Sequence, residues 1–167
     1  MTDADRTLAS FDAVIEAHGA AISRYAWAFV DNGDDHADLM QDLLVALWRS
    51  LPRFRGESSL KTFVYRVVHN RALSFAARSR RHAGTALTEE LPDRKPGPEA
   101  RVEADLCRAR LLRAIRRLEP GLRQAVLLHL EGTSTEDIAH IQGITGNNAA
   151  VRLTRGRQAL RSAMEER

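Results

Sequence analysis

The sequence predicts an all-α protein: two small helical domains joined by a flexible linker, the C-terminal one a helix-turn-helix. Three observations carry this. Apolar residues recur at helical spacing on both sides of the middle of the chain, while strand-like alternation is weak. The tract GTALTEELPDRKPGP (84–98) holds three of the five prolines and two of the ten glycines, the composition of an extended tether. The stretch 134–160 reads as two helices around a glycine break, and the second carries Arg152, Arg155 and Arg157 with no acid. The expected boundaries are 1–83, a linker at 84–105, and 106–167.

The first helix follows from Leu8, Phe11, Ile15, Ile22, Ala26 and Phe29, which fall near one helical face. DNGDD (31–35) is a turn. Ala37, Met40, Leu44, Leu47 and Leu51 mark a second helix with acids in its first turn, where the helix dipole favours them. Pro52 ends it. RFRGESS (53–59) is a loop with Gly56 at its tip, and Ser59 can cap a third helix running through Leu73 or beyond. Periodicity resumes near Leu106 with Leu111, Ile115 and Leu118. EPG (119–121) breaks it, LRQAVLLHL (122–130) is a short apolar helix, and Gly132 is its C-terminal stop. Ser134 and Asp137 form a near capping box. Gly143 permits a sharp turn, and Thr145 caps the last helix. There Ala149, Leu153, Gly156, Leu160 and Met164 share an inward stripe, while Asn148, Arg152 and Arg155 share another, polar and cationic. That is a helix-turn-helix layout, in which the second helix enters the major groove. Asn suits adenine and Arg suits guanine there.

Composition narrows the function. At 167 residues the chain fits one domain or two small ones, and 44% apolar residues suffice for a helical core. The single cysteine, Cys107, excludes an internal disulfide and points to a reducing cytoplasm. The six histidines show no metal-ligand spacing. No signal peptide or membrane span is read. No nucleophile, metal motif or cofactor motif accompanies the paired carboxylates Asp38 and Asp42, so neither an enzyme nor a cofactor is expected. Charge is more telling. Residues 1–57 hold ten acids against five arginines, 58–88 hold six Lys/Arg and no acid, and 138–164 hold four Arg and no acid. Two acid-free basic blocks mark two places where a polyanion could lie.

The residues also resemble a known family. Leu118, Pro120, Arg123, Val126, Glu131, Gly132, Ser134, Asp137, Ile138 and Ala139, followed by Gly143, Ile144, Thr145 and RLTRGR (152–157), match region 4 of bacterial RNA polymerase sigma factors without a gap. Asp38, Leu39, Gln41, Asp42 and Trp48, then FRGESSLKTFVYRVVHNRAL (54–73), are similar to region 2. Both regions in this order, and no others, resemble the small extracytoplasmic-function (ECF) class. The chain departs from the pattern at Phe63 (Trp is usual), Leu44 (Phe), Ser74 (Asp), and Ala150-Val151 (Lys-Ser). The last departure prevents a promoter sequence from being carried over.

The resemblance implies three partners: core RNA polymerase, promoter DNA and an anti-sigma factor, with no direct membrane insertion. It implies core docking through Asp38, Gln41, Asp42, Trp48 and Arg49. It implies contact with the downstream (−10) promoter element through Arg53, Phe54, Arg55, Ser58, Lys61, Thr62, Phe63, Arg66, Asn70 and Arg71, and melting there. Ser134, Thr145, Asn147, Asn148, Arg152 and Arg155 would meet the upstream (−35) element. From the residues alone, Trp48, Phe63 and Tyr65 are equally readable as core. The rival reading is a free-standing helix-turn-helix regulator with an N-terminal sensor or dimerisation domain, which would bind a symmetric site without polymerase.

Overall fold

The structure, a computed structural model, describes residues 10–82 and 99–165. Seven α-helices and one 3-10 turn account for these residues, with no strand among them: α1 Phe11–Trp27, α2 Gly33–Ser50, the turn Leu51–Arg53, α3 Leu60–His82, α4 Glu99–Arg117, α5 Pro120–Leu130, α6 Thr135–Gln142 and α7 Gly146–Glu165. Leu8 and the expected linker stretch 84–98 lie outside the described residues. Helix α4 begins at Glu99, ahead of Leu106, because apolar periodicity marks only the part of a helix that packs.

The helix starts are set locally. Ser10 Oγ accepts from the Ala13 amide at 3.3 Å, and Asn32 Oδ1 from the Asp35 amide at 2.8 Å. Ser59 Oγ accepts from the Thr62 amide at 3.1 Å, so Ser59 caps α3 as expected. Ser134 Oγ accepts from the Asp137 amide at 3.0 Å, and Thr145 Oγ1 from the Asn148 amide at 3.3 Å. Each such cap satisfies an amide that the helix cannot pair internally. Gly143, at φ 65°, turns the chain between α6 and α7 in the left-handed conformation that side chains disfavour.

In the first half, α1, α2 and α3 enclose Ile22, Tyr25, Leu39, Leu43, Leu47, Val64, Tyr65 and Val68, all essentially buried. The inward stripe of α2 is thus Leu39–Leu43–Leu47, continued by Leu51 of the 3-10 turn, with Met40 and Leu44 at its half-buried edge. In the second half, α7 lies across α5 and α6, burying Ala149 and Leu153 with Leu128, Ile138 and Ile141. A Cβ on Gly156 would come within 2.6 Å of Val126 Cγ2 and 3.4 Å of the Leu122 carbonyl. Only glycine lets α5 and α7 approach this closely.

The halves pack on each other, chiefly α3 on α6. Buried Gln124 of α5 donates from Nε2 to the Tyr25 hydroxyl of α1 at 3.2 Å. A buried amide without such a partner would be costly. Two arginines extend the joint. Arg116 donates from Nε and Nη2 to the Trp27 carbonyl (3.1 and 2.9 Å). Arg123 donates to the Ala28 carbonyl (3.2 Å) and to the carbonyls of Arg116 and Leu118. The family-pattern residue Arg123 therefore serves the fold, tying off the end of α4 and reaching across to the first half.

Candidate nucleic-acid and partner interfaces

The outer face of α2 is open. Asp38, Gln41 and Arg49 are exposed there, Val45 is 40% exposed and Trp48 63% exposed. Trp48 is therefore not a core residue. A tryptophan left this bare on a helix flanked by polar groups is the composition of a docking face. Asp42, at the edge of the face, is bound inward by Arg71 Nη2 (2.9 Å) and Arg78 Nη2 (2.6 Å). Burial alone would raise its pKa, but the two guanidiniums outweigh that and hold the carboxyl below its usual value. These contacts offset the Asp38–Asp42 repulsion from within the chain, and they also engage Arg71.

Beyond the 3-10 turn opens a cleft of about 480 Å³ lined by Pro52, Arg53, Phe54, Arg55, Glu57, Ser58, Phe63 and Arg66. Phe54 and Phe63 meet with ring centroids 5.0 Å apart, and the Arg66 guanidinium lies 5.8 Å from the Phe63 centroid. Aromatic surface with cations around it is what an unstacked base and its phosphates require. Phe63 serves both readings, half-buried against the core and lining the cleft. Tyr65 is fully buried and lies outside this surface. Asn70 is exposed further along α3.

The neighbouring face of α3 is engaged by the second half. Lys61 Nζ donates to the Glu131 carbonyl at 2.6 Å. The Thr62 hydroxyl donates to Asp137 Oδ1 at 2.8 Å, and Arg66 Nη1 stands 3.3 Å from His140 Nε2. Arg24 of α1 grips the Glu131 carboxylate with Nε and Nη2 at 3.1 and 2.9 Å. Asp137 also accepts from the Ser134 hydroxyl at 2.7 Å. The Ser134 and Thr62 hydrogen bonds hold its pKa below the usual value.

On the helix-turn-helix, Asn147, Asn148 and Arg155 are exposed on α7, as are Ser134 and Thr145 at the two caps. Arg152 is half-buried and tied back. Its Nη1 donates to Gln142 Oε1 at 3.1 Å. Gln142 Nε2 donates to the Gly121 carbonyl and to Gln124 Oε1, both at 3.1 Å. A relay of amides thus runs from Arg152 to Tyr25. Near it His69 is buried, its pKa lowered to about 4 by burial and by the Arg152 charge. The exposed edge of α7 is therefore Asn147, Asn148, Val151 and Arg155.

Sequence reasoning missed Glu131, Asp137 and Gln124 as partners between the two halves. Only Gln124 left a signal, as a lone amide within the apolar run 122–130. Among the described residues, no His/Cys/Asp/Glu group could hold a metal, and no helix is long and apolar enough to cross a membrane.

Residues 14–82 match the Sigma-70 region 2 family, and residues 108–160 match the Sigma-70, region 4 family. The ECF RNA polymerase sigma factor SigE of Mycolicibacterium smegmatis is 30% identical over 156 residues, covering 91% of this chain; the chain spans 60% of that protein's length. The ECF RNA polymerase sigma-E factor of Escherichia coli K12 is 30% identical over 155 residues, covering 83% of this chain and 76% of that protein. Among solved structures, the sigma factor RpoE in complex with the anti-sigma factor NepR from Bartonella quintana shares the fold. Its TM-score is 0.75 at 23% identity, over 94% of this chain and 98% of that one. CnrH in complex with the cytosolic domain of CnrY gives a TM-score of 0.67 at 23% identity, over 93% and 87%. The chain belongs to the ECF family of RNA polymerase sigma factors.

Proposed function

We propose that this chain binds core RNA polymerase, directs it to specific promoters and helps to melt them. One observation carries the reading: a single chain holds an aromatic, cation-rimmed cleft beside an open tryptophan face, and a helix-turn-helix with free Asn147, Asn148 and Arg155. Asp38, Gln41, Trp48 and Arg49 form the core-docking face, with Asp42 at its edge. Arg53, Phe54, Arg55, Ser58, Phe63 and Arg66 receive an unstacked base of the downstream element. Lys61, Thr62, Asn70 and Arg71 follow its backbone. Ser134 and Thr145 lie at helix N-termini, where phosphate is favoured. Asn147, Asn148, Arg152 and Arg155 meet the upstream element.

Residues 1–83 and 106–167 act as regions 2 and 4. Each has a small footprint, so the polymerase supplies affinity by holding both at once. No catalytic residue or cofactor enters this reading, and its place is the cytoplasm, with the polymerase. One of the solved relatives named above is in complex with the anti-sigma factor NepR, which supports an anti-sigma factor as a further partner. The free-standing regulator is not favoured, since both sigma regions match on one chain.

The test is run-off transcription with purified core polymerase, with and without this protein. Discrete promoter-dependent transcripts are expected only in its presence. Phe54→Ala should reduce transcription from duplex templates and recover on templates with a pre-opened bubble. No transcripts, together with symmetric-site binding by the protein alone, would favour the regulator.

A further inference from the structure

The buried residues of α7 define which of its faces looks outward. Ala149, Leu153 and Gly156 are buried. At about 3.6 residues per turn, the line opposite them runs Asn147–Val151–Thr154–Gln158, and all four are exposed. Val151 stands in the middle of that line. It is 39% exposed, the one large apolar side chain left bare on α7 among the described residues. Thr154 adds to it. Its hydroxyl donates to the Ala150 carbonyl at 3.0 Å, so a methyl group is what it offers beside Val151. Polar side chains surround this apolar spot: Asn147 one turn before Val151, Arg155 one turn after, and Asn148 on the flank, all exposed.

A valine has no hydrogen bond to give to a phosphate or to a base edge. In the major groove the apolar group that a base pair presents is the C5 methyl of thymine; the other bases present donors and acceptors. Valine pressed on those would strip them of water and leave them unpaired, which is unfavourable. We propose that Val151, backed by the Thr154 methyl, packs on the C5 methyl of one thymine in the upstream element and so selects it, between the base pairs met by Asn147 and Arg155. The inference rests on the functional reading above, in which α7 enters the major groove of that element. It falls at Ala150-Val151, where this chain departs from the sigma-factor pattern, so the preference belongs to this chain.

Holoenzyme assembled from purified core polymerase and the full-length chain is used to enrich duplexes from a randomised library, and the upstream element is read by sequencing. Each thymine of that element is then replaced in turn by deoxyuridine. The replacement keeps the base pairing and every donor and acceptor in the groove, and removes only the methyl. At one position it should weaken holoenzyme binding about fourfold, the worth of one buried methyl group. Val151→Ala should bind the thymine duplex about as weakly as the unmodified chain binds the deoxyuridine duplex, and should no longer distinguish the two. Thr154→Ser keeps the hydroxyl and should lose part of the discrimination. Helicity and affinity for core polymerase should be unchanged in both variants, since both positions are exposed.

An enriched element in which no deoxyuridine weakens binding would overturn the proposal. So would a deoxyuridine penalty that persists undiminished in Val151→Ala, since another residue would then be reading the methyl. If holoenzyme enriches no common element, the functional reading itself fails and the proposal falls with it. A chain that enriches an element and directs transcription from it, yet is indifferent to the methyl, loses the role of Val151 alone.

Discussion

Two faces of the first half differ in availability. The outer face of α2 is open, with Trp48 63% exposed. The N-terminal part of α3 lies under the second half, with Lys61, Thr62 and Arg66 all engaged by it. On the reading above, the open face is for polymerase and the covered one is for DNA. With the halves packed together, the Trp48 face stays accessible, whereas the N-terminal part of α3 does not.

The largest expected effect tests the open side. Trp48→Ala should weaken core binding by about 2 kcal/mol or more, the scale of an aromatic hot spot. Unfolding stability should change by less than about 0.5 kcal/mol, as for an exposed position. Titration of labelled core and chemical denaturation measure the two. A large loss of stability with core affinity intact would break the comparison.

The next effect lies on the covered side and is read by pH. The His69 pKa falls from 6.5 to about 4 in the folded chain. The unfolded chain therefore binds more protons between those values, and stability falls as pH drops from 6.5 towards 4. By pH 5 the loss from this group should be about 2 kcal/mol. Denaturation at pH 7 and pH 5 measures it, and His69→Gln should flatten the difference. Smaller again is Thr62→Val, which removes the hydroxyl given to Asp137 and should cost about 1 kcal/mol. Chemical denaturation measures it, and a surface threonine without partners would show no such loss. Smallest is Asp42→Asn. Its pairs with Arg71 and Arg78 are partly exposed, so stability should change by less than about 1 kcal/mol. A measurable loss of core affinity with stability kept would place Asp42 on the docking face, and an unchanged affinity would remove it.

Much of the fold could be read from the sequence because its signals are local. Ser59, Ser134 and Thr145 cap helices within three residues, and Gly143 turns the chain by its own backbone. The stripe of α7 from Ala149 to Gly156 held as expected. The register of α2 was less legible. Six leucines and valines crowd residues 39–51, so the apolar arc is wide, and only packing selects Leu43 over Leu44 as the buried residue. Trp48 in the same stretch and Tyr65 on α3 were ambiguous for a like reason, since each continues an apolar stripe; one is bare and the other enclosed. The seam between the halves was not legible at all. Arg24 and Glu131 are 107 residues apart, and no periodicity in either helix marks them as partners. Arg152 illustrates the same limit: its spacing places it on the polar stripe, but Gln142, on another helix, decides where its guanidinium points.

On the proposed reading, that tie on Arg152 would set a threshold for selectivity at the upstream element. If Arg152 swings out to a base, Gln142 Oε1 loses its donor, and the amide relay to Gln124 and Tyr25 is left one hydrogen bond short. A guanine edge offers two acceptors to an arginine in the major groove, whereas other bases offer it fewer. Two new bonds can offset the lost one with a surplus, but one cannot. An arginine already waiting in solvent would reward a partial match almost as readily as a full one. If Arg152 meets the upstream element as proposed, it would be recruited only by a base that outcompetes its resting partner, and the interior of the protein would take part in choosing the promoter.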